Sequence, residues 1–118
     1  MLGTPCGARG DESMTQFVLV MTHTPDQCPT ANSTIRKLVM NQSVELPKLA
    51  RKLGVKFVVG PLVSNEHRGF AFVEADKVEA INDLVMQSGT IQWQSVEIVP
   101  TQNLDEAMKQ AETLKPIY

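Results

Sequence analysis

The chain predicts an α+β domain of βαββαβ order, with both main helices on one face of an antiparallel sheet and a further helix at the end. Three observations carry that expectation. Strand-like and helix-like segments follow one another in this order from Gln16 onward. The first, Phe17-Val18-Leu19-Val20-Met21-Thr22, is apolar at both alternating parities, as in a strand covered on two sides. Arg68-Gly69-Phe70-Ala71-Phe72-Val73-Glu74-Ala75 sets two aromatics two residues apart, and therefore on one face of a strand.

Residues 1–13 contain three glycines, one proline and no hydrophobic periodicity, and read as a flexible leader. Met14 stands immediately before the patterned region, so residues 14–118 are expected to form one domain. Arg9-Gly10-Asp11 is too short a string to carry specificity in such a leader. After the first strand and Pro25, Ile35, Leu38 and Val39 give a helical stripe, interrupted near Asn41 and Pro47. Ser43 is a candidate cap for a second stretch, in which Leu46, Leu49, Ala50 and Leu53 repeat the spacing before Gly54. The two stretches predict one bent or broken arm.

Val55 to Leu62 and Arg68 to Glu74 are strand-like and close enough for a hairpin, with Pro61 favouring the sheet edge for the first. Asp76 is placed to cap a helix that turns Val78, Ile81, Leu84 and Val85 towards the sheet and stops at Gly89. Trp93 to Val99 supplies the fourth strand. Asn103 and Glu106 have capping-box spacing, and Leu104, Met108, Ala111 and Leu114 form a stripe on a closing helix that needs a surface to cover.

With 118 residues, 42% hydrophobic and 20% charged, the chain suits a single core. Its net charge of -2 offers no general attraction for phosphate backbones and argues against a nucleic-acid partner. Cys6 and Cys28 are the two cysteines; with Cys6 in the leader they indicate no disulfide framework, and a reducing, cytoplasmic setting is the simpler expectation. The longest apolar run, Phe17 to Met21, is too short to span a bilayer.

The element order is that of the split βαβ, or ferredoxin-like, arrangement, whose sheet leaves one face bare. Two architectures fill that face differently. In RNA-recognition domains it carries aromatics that stack on bases; Phe70 and Phe72 after Arg68-Gly69 resemble that signature, but the last aromatic position is Ala75. In dimeric α+β barrels two such faces pack together. A first strand that is apolar on both sides favours the second, and with it a homodimer.

Thr22-His23-Thr24-Pro25 followed by Cys28, then Glu66-His67-Arg68-Gly69-Phe70, then Val73-Glu74-Ala75, resembles an uncharacterised family of small dimeric α+β-barrel proteins. The resemblance covers most of residues 14–109 in order of elements. It implies the fold and the dimer more than any activity, since this architecture hosts monooxygenases, isomerases, decarboxylases and simple ligand binders.

Both histidines are expected at one end of the sheet, because a first strand ending at His23 lies antiparallel to a third strand beginning at His67, with Cys28 entering by the following loop. His23, Cys28 and His67 are candidate ligands for a transition metal such as zinc, copper or iron. Without a metal, a histidine beside Cys28 would activate the thiol, and Glu66 would serve as a base, making His23, Cys28, Glu66 and His67 the candidate catalytic set. Each also has a plain structural explanation: a turn residue, a solvated hairpin residue, a small buried hydrophobe. His67 is out of phase with Phe70 and Phe72, so joining the rings requires an irregular strand entry. A compact apolar or aromatic ligand is expected at Phe17, Leu19, Met21, Phe70, Phe72 and Trp93 between two sheets, where a dry dimer core is the alternative. The remaining functional alternatives are a non-catalytic dimeric accessory protein and an RNA-recognition-like module.

Overall fold

A computed structural model describes residues 14–118. The expected leader, with Cys6 and the Arg9-Gly10-Asp11 string, lies outside the described residues. The described residues are α+β, with four strands in one antiparallel sheet and three helices. Strand β1 spans Thr15–Thr22, helix α1 Ser33–Leu53, β2 Lys56–Ser64, β3 Arg68–Ala75, α2 Val78–Gln87, β4 Ser95–Thr101 and α3 Leu104–Glu112. Single 3-10 turns occupy Pro25–Gln27 and Thr90–Gln92. The strands lie in the order β2-β3-β1-β4. β2, which carries Pro61, is an edge as expected. No described helix is long and apolar enough to cross a membrane.

Register decides which residues share a face. Leu19 pairs with Ala71 and Phe17 with Val73, while Val18 pairs with Phe72 and Val20 with Phe70. Paired residues of an antiparallel ladder point the same way, so odd-numbered residues of β1 and β3 form one face and even-numbered residues the other. Phe17, Leu19, Met21, Ala71, Val73 and Ala75 are buried in one cluster with Ala50, Ala80, Ile81, Leu84 and Val85 of the helices. The small Ala71 and Ala75 let the helices come down close to the sheet. On the opposite face Phe72 is 45% exposed, and Val59 of β2 and Val99 of β4 are exposed beside it.

Of the bent or broken arm that was expected, helix α1 excludes the break: it runs continuously for 21 residues with Pro47 inside it. Proline costs about 3 kcal/mol within a helix. That cost is offset by one apolar stripe on both sides of it, with Ile35 and Ala50 buried and Leu46, Leu49 and Leu53 packed on the core. Ser43 does not cap; its hydroxyl donates to the Met40 carbonyl at 2.8 Å within the helix. Gly54 ends α1 in the left-handed region at φ 76°, where a side chain would strain the backbone.

Other boundaries shift as well. Lys77, not Asp76, takes the cap position of α2 and makes no side-chain cap bond, and Val78 is exposed at the first turn. β4 starts at Ser95, which leaves Trp93 in the preceding turn. Asn103 precedes α3 without a side-chain cap bond, and α3 buries no residue: Leu104, Met108 and Leu114 all face outward. Among the described residues the closing helix therefore seals no apolar surface. Between β2 and β3 the register shifts twice around Gly60, whose φ of 96° and 2.9 Å approach of a would-be Cβ to the Phe70 carbonyl admit only glycine.

Candidate metal and ligand site

Three chain segments converge where β1 ends and β3 begins. The ladder continues one step beyond β1, the His23 amide donating to the His67 carbonyl at 3.1 Å, so the two histidines are direct cross-strand neighbours. Their rings meet edge to face, with centroids 5.3 Å apart. His67 is the non-glycine residue with positive φ among the described residues, at 63°. The register itself, not an irregular strand entry, brings the two rings to one face. His67 also shares its parity with Gly69 and Ala71, and so stands on the helix side with Leu19, Met21 and His23.

Cys28 arrives by a loop pinned to the start of α1. Pro25 opens a single 3-10 turn, the Cys28 amide closes it on the Pro25 carbonyl, and the Cys28 carbonyl accepts from Ala31 and Asn32. Asn32 caps the helix by accepting from the Ile35 amide at 3.0 Å while donating to the Asp26 carbonyl at 3.1 Å. Arg36 donates to the carbonyls of Pro29 and Thr30 at 2.8 and 3.0 Å. The thiol position is thereby fixed relative to the sheet. Sequence reasoning missed Asn32 and Arg36 as supports; Asn three residues before Ile35 was the signal for the cap.

The ligating atoms of His23, Cys28 and His67 all lie within 4.8 Å of one another. In a tetrahedral zinc site with ordinary bond lengths, donor atoms stand about 3.3–3.6 Å apart, so side-chain rotations of about 1 Å complete the set. The Cys28 Sγ lies 3.0 Å from the Thr30 hydroxyl. Hydrogen bonding from that hydroxyl, then from the Thr30 backbone, lowers the thiol pKa and outweighs desolvation. His23 is pushed below the ordinary histidine value chiefly by burial and secondarily by the charge of His67, with the Gln94 side chain opposing. Both effects favour the deprotonated forms that bind metals.

The cluster sits at one end of a cleft of about 630 Å3 between sheet and helices, walled by Leu19, Met21, Leu46, Phe57, Leu84 and Val85. The indole of Trp93 lies against His23, with ring centroids 5.1 Å apart, and also lines the cleft. Trp93 thus belongs to the site through the turn before β4, not through a strand.

The expected ligand wall is divided by the sheet. Leu19 and Met21 line the cleft, Phe17 is buried in the core, and Phe70 and Phe72 occupy the opposite face. The chamber is formed within one chain, because Phe70 and Phe72 are out of phase with Leu19 and Met21. Arg68 stands 5.4 Å over the Phe70 ring on that open face. The neighbours that β1 offers there are Val18 and Val20, whereas Phe17 faces the helices. Glu66 is exposed in the β2–β3 turn, outside the His-Cys-His cluster, with its amide donating to the Ser64 hydroxyl at 3.3 Å. Compared with known proteins, the chain matches no family model, no curated protein and no solved structure.

Proposed function

We propose that this chain binds a transition metal through His23, Cys28 and His67, and uses the adjoining apolar cleft to hold or transform a compact organic ligand. The observation that carries the reading is the meeting of three donor atoms from three separate segments within 4.8 Å. Two imidazoles and a thiolate suit zinc or copper. A site with three protein ligands keeps a coordination position for water or substrate, and the ion supplies Lewis acidity there. The chain's own residues orient the ligand along the cleft and exclude water with its apolar wall.

The same reading takes the fold as ferredoxin-like and the assembly as a homodimer joined through the open sheet face. Val18, Val20, Phe70 and Phe72 form an apolar patch on that face, with the exposed Val59 and Val99 beside it. An identical face from a second copy is its simplest cover. Because the cleft lies on the helix side, each protomer would keep its own site after association.

Zinc titration of the protein tests the metal directly. Wild type is expected to bind one ion per chain, and Cys28→Ser or His23→Gln to weaken binding by more than tenfold. Equal, weak binding by wild type and both variants would remove the metal from the proposal.

A further inference from the structure

Among the described residues, the buried side-chain polar atoms without a hydrogen-bond partner are both ring nitrogens of His23, Nε2 of Gln42 and Nε1 of Trp93. All three residues line the same cleft. A buried polar group without a partner is costly, and native structures contain few. Here the cost is concentrated at one cavity. A metal ion accounts for a ring nitrogen of His23 under the function proposed above; it does not account for Gln42 or Trp93. Both of these unpaired atoms are N–H donors, so the missing partner is an acceptor.

The charge of the lining sharpens the class. Among the described residues no aspartate or glutamate lines the cleft, although the chain as a whole carries 13 acidic residues against 11 Lys and Arg. Arg68 touches the cleft, but its guanidinium lies over the Phe70 ring on the opposite face of the sheet. An anionic head group therefore meets the N–H donors of Gln42 and Trp93 and no carboxylate of the described residues. Much of the rest of the wall is aliphatic or aromatic, with neutral polar groups from Thr30, Ser43, Ser64, Asn65, Ser88 and Thr90 among it.

Resting on the metal-and-cleft reading, we infer that the ligand is a compact apolar carboxylic acid. Its carboxylate accepts from the indole N–H of Trp93 and the amide of Gln42 beside the His-Cys-His cluster. Its hydrocarbon body lies along Leu19, Met21, Phe57, Leu84 and Val85. The cleft, at about 630 Å3, is in the range of sites for small organic ligands.

Decanoate, with decylammonium as its donor-only counterpart, tests the inference by calorimetry on zinc-loaded wild type, Gln42→Leu and Trp93→Phe. Both variants keep an apolar side chain of similar bulk, and thermal melts and zinc stoichiometry establish that fold and centre survive. Decanoate is expected to bind wild type in preference to decylammonium and to lose about tenfold or more in affinity in each variant. Equal binding of the two probes, or decanoate affinity unchanged in both variants, would overturn the inference even with zinc bound. Decanoate selectivity that depends on Gln42 and Trp93 in a protein that fails to take zinc would support the carboxylate subsite and defeat the metal reading alone.

Discussion

The backbone of His67 offers a measurable conflict between stability and binding. At φ 63° a residue with a Cβ is held in the left-handed region, at a cost of about 1–2 kcal/mol that glycine does not incur. Glycine brings about 0.5–1 kcal/mol of extra unfolded-state entropy, so His67→Gly should exceed His67→Ala in stability by about 0.5–1 kcal/mol. Both variants lose the imidazole, and the comparison therefore isolates the backbone. For a domain of this size the difference corresponds to about 2–4 °C in Tm, readable by calorimetry in chelator. Zinc should reverse the advantage of any variant over wild type: at a hundred times its Kd the ion adds about 2.7 kcal/mol to a protein that binds it. Only wild type would receive that increment. An alanine variant as stable as the glycine variant would refute the strained entry, and equal zinc stabilisation of all three proteins would refute the role of the ring.

The lowered proton affinity of buried His23 sets a pH dependence. As pH falls below the ordinary histidine value of 6.5, the unfolded chain takes up its proton before the folded one. Folding stability should therefore decline from pH 6.5 down through the depressed folded value, and be independent of this group above it. Denaturant melts in chelator should show a flatter profile over that interval for His23→Gln. Ile81, fully buried beneath the sheet, should cost about 2–5 kcal/mol when cut to alanine in the same melts. Phe72→Asp, on the open face, should convert a dimer to monomers in sedimentation velocity while zinc stoichiometry stays unchanged; a dimer that survives it would place the interface elsewhere.

Element identity was legible because apolar spacing alone specifies it: the stripes of α1 and α2 and the four strands were all visible. Pro47 misled because a local penalty was weighed without the tertiary packing on either side of it, which keeps α1 whole. The meeting of His23 and His67 followed from strand direction. Their shared face did not, because the parity argument grouped Phe70 with Leu19, whereas the register pairs Phe70 with Val20. A strand apolar on both faces gives no sequence signal for which face receives the helices. Gln42 was hidden for a different reason: a lone glutamine on a helix looks solvated until the cleft beside it is seen.

The one-step extension of the ladder from β1 to His67 makes the site a proofreader of strand alignment. A slip of a single residue between these strands would send one imidazole to the far side of the sheet. An ion gripping both rings and the pinned thiol would then act as a rivet, closing only on a correctly threaded sheet and afterwards resisting shear between its two central strands.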